Sequence, residues 1–388
     1  MNALLTTEPP VNTTSSAVPE PLDILLADIR AQRQMFRREQ QISAGIVERF
    51  KAAGVYRALV ARQFGGDEVS PAEFLRLIER ISIADGSAGW VASFGVSALY
   101  LAALPMATLQ DIYANGPDVA FAGALFPPQK APLIDDEFEV SGLWKFGSGA
   151  TGADLIGVGI KAEADGPGLP RMAVMPAERV MIERNWDVIG LCGTGSHDLR
   201  VDKVRVPTDW TFLRGGAPSI DAPLYRYPSM ALAAQVLAVV GLGVGRAALD
   251  DITRIAGGHA SITGAPTLAD RAYMQIGVAK AEAELRSARA FFYEITEEVF
   301  ELIKAGNALS IEKTNLLRLA SSHAARAGAN AAQAAFTLSG TIGIFETNPL
   351  SQYLQDALVV AQHAFLSEGT WQSAGRILLG LDSVPGFP

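Results

Sequence analysis

Between Met274 and Leu302, apolar or small residues recur at Met274, Val278, Ala281, Leu285, Ala288, Phe292, Ile295, Val299 and Leu302, with spacings that alternate four and three. A seam held over about four heptads is the pattern of one long helix packed in a bundle, not of a lone surface helix. The Ala-rich stretch Ala320 to Phe336 offers a second helix, whose small side chains permit close approach. The rest of the chain has to be arranged around that bundle. From Leu22 to about Ala114 the apolar spacing is again three and four (Phe74, Leu77, Ile78, Ile81), and Ser70-Pro71 reads as a cap with proline at the first helical position. From Val119 to about Arg214 the signals change to short β-rich runs punctuated by Pro127-Pro128, Asp135-Asp136, the Asp165 to Gly168 cluster and Pro207. Helices, then a small β domain, then helices is the expected order.

Composition narrows what such a chain can do. With 388 residues it is long enough for about two to three domains of ~100–200 residues. Hydrophobic residues make up 49% and charged ones 19%, as in a large, well-buried protein that hides further surface in an oligomer. The net charge is −9 and no Lys/Arg cluster alternates with aromatics, which argues against a nucleic-acid or anionic-membrane surface. The single cysteine, Cys192, excludes an internal disulfide and a thiolate-rich metal cage, fits a reducing cytoplasm, and reads as a small buried filler. The first twenty residues lack the basic and apolar regions of a secretory signal and read as a disordered tail. The apolar run Met230 to Val244 is too short for a membrane span and rich in Ala and Gly, as in a packed helix. A small molecule is the expected target, no metal is expected, and the expected compartment is the cytoplasm.

Two Gly-rich, strand-like segments carry the chemical signal: VSGLWKFGSGATGADLIGVG (Val140 to Gly159) and GLCGTGSHDLRVDKVRVP (Gly190 to Pro207). Each sets small residues and hydroxyls (Ser148, Gly149, Thr194, Gly195, Ser196) beside β-branched residues, so that backbone amides can approach a flat ligand. Trp144, Phe146 and Trp186 supply aromatic planes nearby, although Trp144 and Phe146 are equally readable as core. Trp90 and Phe94 lie one helical turn apart among small residues (Ala88, Gly89, Ala92, Ser93), leaving room for a flat apolar substrate or a cofactor ring, with core packing as the rival reading. Gly241, Gly243 and Gly245 lack the full dinucleotide spacing and follow no strand, so helix packing is their expected role.

Five segments in order, DGSAGWVASF (Asp85 to Phe94), SGLWKFGSG (Ser141 to Gly149), GLCGTGSHD (Gly190 to Asp198), LRSARAFFYE (Leu285 to Glu294) and AQHAFLSEGTWQSAGRILLGL (Ala361 to Leu381), resemble the oxygenase components of two-component flavin monooxygenases, a branch of the acyl-CoA dehydrogenase superfamily. The resemblance covers nearly the whole chain. It implies a mainly α fold with an N-terminal α-helical domain (21–117), a middle β-barrel domain (118–215) and a C-terminal four-helix bundle (216–388), after the disordered tail of 1–20. It also implies reduced FMN or FAD delivered by a separate NAD(P)H-dependent reductase, reaction with dioxygen to a C4a-hydroperoxide, and hydroxylation of an apolar, aromatic (phenolic or indolic) small molecule by a homotetramer.

The same likeness implies roles residue by residue. Ser148 matches the serine whose hydroxyl or amide faces the flavin and is the candidate donor to flavin N5 and the peroxide oxygens, a task that needs a water-excluded pocket. His363 matches a histidine near peroxide and substrate hydroxyl, where an imidazole can deprotonate substrate or stabilise peroxide. Trp144, Phe146, Ser148, Gly149, Trp186, Thr194, Gly195 and Ser196 are the expected cofactor contacts, and Trp90 and Phe94 the substrate contacts. Ser339-Gly340 stands where relatives have Gly-Gly, which is tolerable if the first φ is negative. Gln352 and Gln355 replace frequent arginines, which leaves a phosphate or intersubunit role there in doubt, and Arg254 is a weak candidate for the flavin phosphate. His197, within Ser-His-Asp, is read as structural or near the cofactor, because neighbours on a strand point to opposite faces and form no triad. His259 and His323 have no assigned role.

Two other functions remain open. A true acyl-CoA dehydrogenase needs a carboxylate base, and Glu368-Gly369-Thr370 resembles its Glu-Gly-Thr motif. Counted from Asp356, however, that base falls near Ala364, one turn early, so Glu368 is expected at the surface or a helix end. A flavin- or ligand-binding scaffold that has lost the chemistry is the third.

Overall fold

The computed structural model describes residues 22–163, 165–166, 168–258 and 267–384. The tail expected over 1–20 and His259 lie outside the described residues. Six helices come first: α1 (Leu22–Glu39), α2 (Ala44–Ala52), α3 (Pro71–Ala84), α4 (Gly86–Ala92), α5 (Ser97–Leu101) and α6 (Met106–Ile112). The Ser70-Pro71 start is a full capping box, with the Ser70 hydroxyl and the Glu73 carboxylate each satisfying the other's backbone amide. Asp85 ends α3 and caps α4, its carboxylate accepting the Ala88 amide at 2.8 Å. That cap fixes the short helix carrying Trp90.

The described residues of the central region form eight strands: β1 (Phe121–Lys130), β2 (Leu133–Ile134), β3 (Glu137–Trp144), β4 (Leu155–Lys161), β5 (Arg171–Pro176), β6 (Met181–Glu183), β7 (Asp198–Pro207) and β8 (Thr211–Leu213). The expected barrel is realised as two four-stranded sheets, ordered β1-β4-β5-β8 and β2-β3-β7-β6, with only β1 and β4 parallel. Alternate residues of both sheets (Val140, Ile156, Val158, Ala173, Leu199, Val201) point inward and form one apolar core. Trp144 belongs to that core: it is fully buried and its indole N–H donates to the Gly159 carbonyl at 2.7 Å. It therefore has no face to offer a cofactor, which corrects its expected role. The two Gly-rich segments are less strand-like than expected, since 145–154 leaves β3 and turns before β4, and β7 begins only at Asp198.

Among the described residues that follow are five helices: α7 (Ser229–Gly258), α8 (Ala272–Lys304), α9 (Ile311–Leu338), α10 (Pro349–Ala361) and α11 (Glu368–Leu378). Of the heptad stripe, Met274, Ala281, Leu285, Ala288, Phe292, Ile295 and Val299 are buried, while Val278 and Leu302 are half-buried. Helix α7 is long and apolar enough to cross a membrane by length and composition alone, yet 94% of its apolar window is buried inside the protein. Its glycines explain how: a Cβ on Gly245 would lie 2.9 Å from the Gly328 Cα, and one on Gly328 would run into the Gly241 carbonyl. Helices α7 and α9 thus meet backbone to backbone, the packing role expected of the glycines. Between α3 and α8, buried Glu79 takes two bonds from Arg289 (2.7 and 2.9 Å) and one from the Tyr293 hydroxyl (2.7 Å). That contact fixes the bundle to the helices that carry Trp90.

Candidate active site

Two loops, 145–154 and 184–197, are stitched together by backbone bonds: the Gly147 amide donates to the His197 carbonyl and the Gly149 amide to the Thr194 carbonyl, both at 2.9 Å. Gly149 (φ 74°) and Gly195 (φ 58°) hold left-handed turns that a side chain would strain. Phe146 also has a positive φ, 64°, which turns its ring outward; it is 64% exposed and meets Trp186 edge-on, with ring centres 6.1 Å apart. Trp186 is anchored by its indole N–H on the Leu191 carbonyl at 3.2 Å. Beside these rings lies a buried chain of hydroxyls. Ser148 Oγ is 2.6 Å from Ser196 Oγ, Ser196 Oγ is 2.7 Å from Thr194 Oγ1, and Thr194 donates to the Leu191 carbonyl at 2.9 Å. Ser148, Gly149, Thr194, Gly195 and Ser196, expected together from the sequence, are thus brought together, with Phe146 and Trp186 at their edge.

Helix α4 closes on these loops. The Gly193 amide donates to Ser87 Oγ at 3.0 Å, and a Cβ on Gly149 would touch Val91 at 3.4 Å. Trp90 is buried, and its ring centre lies 5.8 Å from that of His363; Phe365 packs edge-on against the imidazole at 5.1 Å. Phe94 is half-buried and packs against the main core. His363 is not within the last helix as expected. It follows α10 and caps the turn Ala364–Leu366, its Nδ1 accepting the Phe365 amide at 3.2 Å. An Nδ1 that accepts leaves the proton of the neutral ring on Nε2. Burial pushes the imidazole down to about 4, so it is neutral at physiological pH. His363 thus presents an Nε2–H, the form suited to stabilising peroxide rather than to deprotonating substrate, the two roles expected of it.

His197 sits behind the loops, buried, with Nδ1 accepting the Asn185 and Trp186 amides at 3.0 Å each, so Ser196, His197 and Asp198 form no triad. Its Nε2 is buried with no hydrogen-bond partner among the described residues. Cys192 is a buried thiol whose Sγ donates to the Val188 carbonyl. Glu368 begins α11 with its side chain 88% exposed, 3.8 Å from Arg326, at the exposed helix end expected of it. Arg254 is exposed and paired with Asp251 at 2.8 Å; Gln355 accepts from Arg37 at 3.2 Å; Ser339 has φ −71°, the negative value its Gly-Gly position needs; His323 packs edge-on against Trp371.

Asp356 is the site residue that sequence reasoning used only as a counting mark. From α10 its Oδ1 accepts the Leu191 amide at 2.6 Å, joining the helix that leads to His363 to the loop that holds Thr194. Its Oδ2 is buried with no hydrogen-bond partner among the described residues, beside Gly86. Burial, and then the facing Asp85 carboxylate, push the Asp356 carboxyl up to about 7 against the pull of the Leu191 amide, Arg37 and Gln352. The unfolded chain ionises this group near pH 4, so folding stability is full below that and declines as pH rises to about 7. Asp356→Asn removes that slope: its Tm advantage over the parent protein is expected to widen from pH 5 to pH 7.5 in thermal melts, and a gap constant across that range would exclude the buried acid.

Residues 235–368 match the family described as Acyl-CoA dehydrogenase, C-terminal domain. The chain is 54% identical over 359 residues to an Indole-3-acetate monooxygenase of Pseudomonas putida, covering 92% of each chain. It is 26% identical to the FADH(2)-dependent resorcinol hydroxylase, oxygenase component, of Rhizobium sp. (strain MTP-10005), covering 92% of this chain and 93% of that one. Its fold superposes with a TM-score of 0.87 on the crystal structure of 3-HSA hydroxylase from Rhodococcus sp. RHA1, at 24% identity and covering 94% and 97% of the two chains. The chain belongs to the oxygenase components of two-component, reduced-flavin-dependent monooxygenases built on the acyl-CoA dehydrogenase fold.

Proposed function

We propose that this oxygenase hydroxylates a small indolic acid of the indole-3-acetate class. The observation that carries the reading is the 54% identical relative named for that substrate. The site supports it: Trp90 offers a flat apolar wall, and the His363 Nε2–H stands beside that wall. The loops also fit a flavin. Left-handed glycines let backbone approach a flat ring, three buried hydroxyls supply polar contacts, and Phe146 and Trp186 flank them. When bound, reduced flavin supplies the two electrons by which dioxygen is divided between the hydroxyl of the product and a molecule of water. The chain's own part is to exclude water, hold the ring with Ser148 and the glycine turns, and orient substrate with Trp90, Phe94 and His363.

Reduced flavin comes from a separate reductase, as the oxygenase-component family requires; we take that reductase to be NAD(P)H-dependent. Division of the chain at about residues 117 and 215, a cytoplasmic location and a homotetramer belong to the same proposal. Support for the oligomer comes from exposed Ile344 and Phe345 between α9 and α10, large apolar groups of the kind that mark an interface.

The test is to mix the protein anaerobically with reduced FMN or FAD and indole-3-acetate, admit labelled dioxygen, and measure oxygen incorporation by mass spectrometry. One labelled atom in the product is expected. Flavin oxidation with no oxygenated product would return the weight to a binding scaffold. Glu368→Gln is expected to change the hydroxylation rate less than about twofold, because the carboxylate is solvent-exposed at the start of α11; an acyl-thioester dehydrogenase activity that this substitution abolished would restore the dehydrogenase-type reading.

A further inference from the structure

The three-hydroxyl chain has only one proton order that satisfies every bond. Each hydroxyl owns a single proton. The Leu191 carbonyl can only accept, so Thr194 spends its proton there, and any other order sets two lone pairs face to face at 2.9 Å. Thr194 is then the acceptor for Ser196 at 2.7 Å, and Ser196 the acceptor for Ser148 at 2.6 Å. The proton of Ser148 therefore points at Ser196, and on its other side its oxygen presents lone pairs. The carbonyl that starts the chain is itself fixed, its own residue's amide being held by Asp356.

We propose that Thr194 and Ser196 are positioning residues that turn Ser148 into a hydrogen-bond acceptor, so that the site selects reduced over oxidised flavin. Reduced flavin carries an N5–H that an acceptor satisfies; oxidised flavin carries at N5 a lone pair that the same acceptor repels. The inference rests on the reading that Ser148 faces flavin N5. It also inverts the donor role expected for Ser148 from the sequence. A monooxygenase fed by diffusing reduced flavin gains directly, because oxidised flavin leaves once the reaction is over.

The test measures dissociation constants for FMN and FAD in both redox states, the reduced form anaerobically, with each variant's Tm as a folding control. In the parent protein reduced flavin is expected to bind at least about tenfold tighter than oxidised. Ser196→Ala frees the Ser148 proton to turn toward the ligand, so oxidised flavin is expected to bind tighter and the ratio to fall about tenfold, equal to a drop of about 30 mV in the bound two-electron potential. Thr194→Val is expected to move the ratio the same way, and Thr194→Ser to leave it unchanged. Simple loosening of the site would weaken both redox states together and overturn the inference. So would Ser196→Ala and Thr194→Val proteins of normal Tm with an unaltered ratio while Ser148→Ala lowers it. If Ser148→Ala leaves both affinities unchanged, Ser148 does not face the flavin, and the underlying placement fails instead.

Discussion

Replacing Ser148 by alanine is expected to lower the yield of hydroxylated product per reduced flavin about 10- to 100-fold, while flavin oxidation continues and hydrogen peroxide makes up the difference. The reason is electrostatic. A buried polar group already in place costs nothing to reorganise during reaction, and removal of one such group from an active site typically costs about 10²- to 10³-fold. The expected loss lies below that range and reaches only its lower limit, because Ser196 lies 2.6 Å behind Ser148 and its freed hydroxyl partly replaces what is lost. The measurement is a paired assay of product and peroxide at saturating substrate. Unchanged coupling of flavin oxidation to product would remove Ser148 from the site. A parallel loss of both product and flavin oxidation would instead indicate that the variant no longer admits flavin.

Much of this site is visible in the sequence, and the parts that are not share a physical cause. The stripe from Met274 to Leu302 reads directly because helical period and burial coincide along one continuous element. Ser148, Gly149, Thr194, Gly195 and Ser196 are identifiable as small and hydroxylic residues, yet the bonds between Ser148 and Ser196 span 48 positions and exist only in the folded loops. Trp144 and Phe146 show how local conformation defeats a pattern. Two apart on a strand, they would share one face, but β3 ends at Trp144 and the positive φ of Phe146 turns the chain, so one ring is core and the other is exposed. His363 looks helical because Ala361 to Leu366 contains no proline or glycine, and the turn that interrupts it is held by the histidine itself. Asp356 did leave a signal. It lies in the apolar stripe of α10, between buried Tyr353 and Val360, where a carboxylate has no reason to be unless something binds it. Neither its Leu191 partner nor the facing Asp85 can be inferred from spacing.

Removal of the His363 imidazole is the second large effect. His363→Asn is expected to reduce product formation about 100-fold, near the lower limit for loss of a positioned proton donor, while leaving the fold intact. The asparagine carbonyl oxygen can still cap the Phe365 amide that Nδ1 accepts now, but nothing replaces the Nε2–H. Two pH measurements separate this role from that of a general base. If the ring works as a neutral donor, hydroxylation stays flat from pH 6 to pH 8 and its acid limb lies near 4, where the half-buried imidazole takes a proton, rather than near the ordinary histidine value. The same depressed value has a stability signature. The unfolded chain protonates below about pH 6.5 and the folded site resists until about 4, so stability present above 6.5 is lost as pH falls through that window, and His363→Asn abolishes that part of the loss. An activity limb near pH 6.5 that vanishes in His363→Asn would make the imidazole a base and show that the Nδ1 cap opens during turnover. Full product yield from a stable His363→Asn protein would place the ring in packing alone, with Trp90 and Phe365 as its partners.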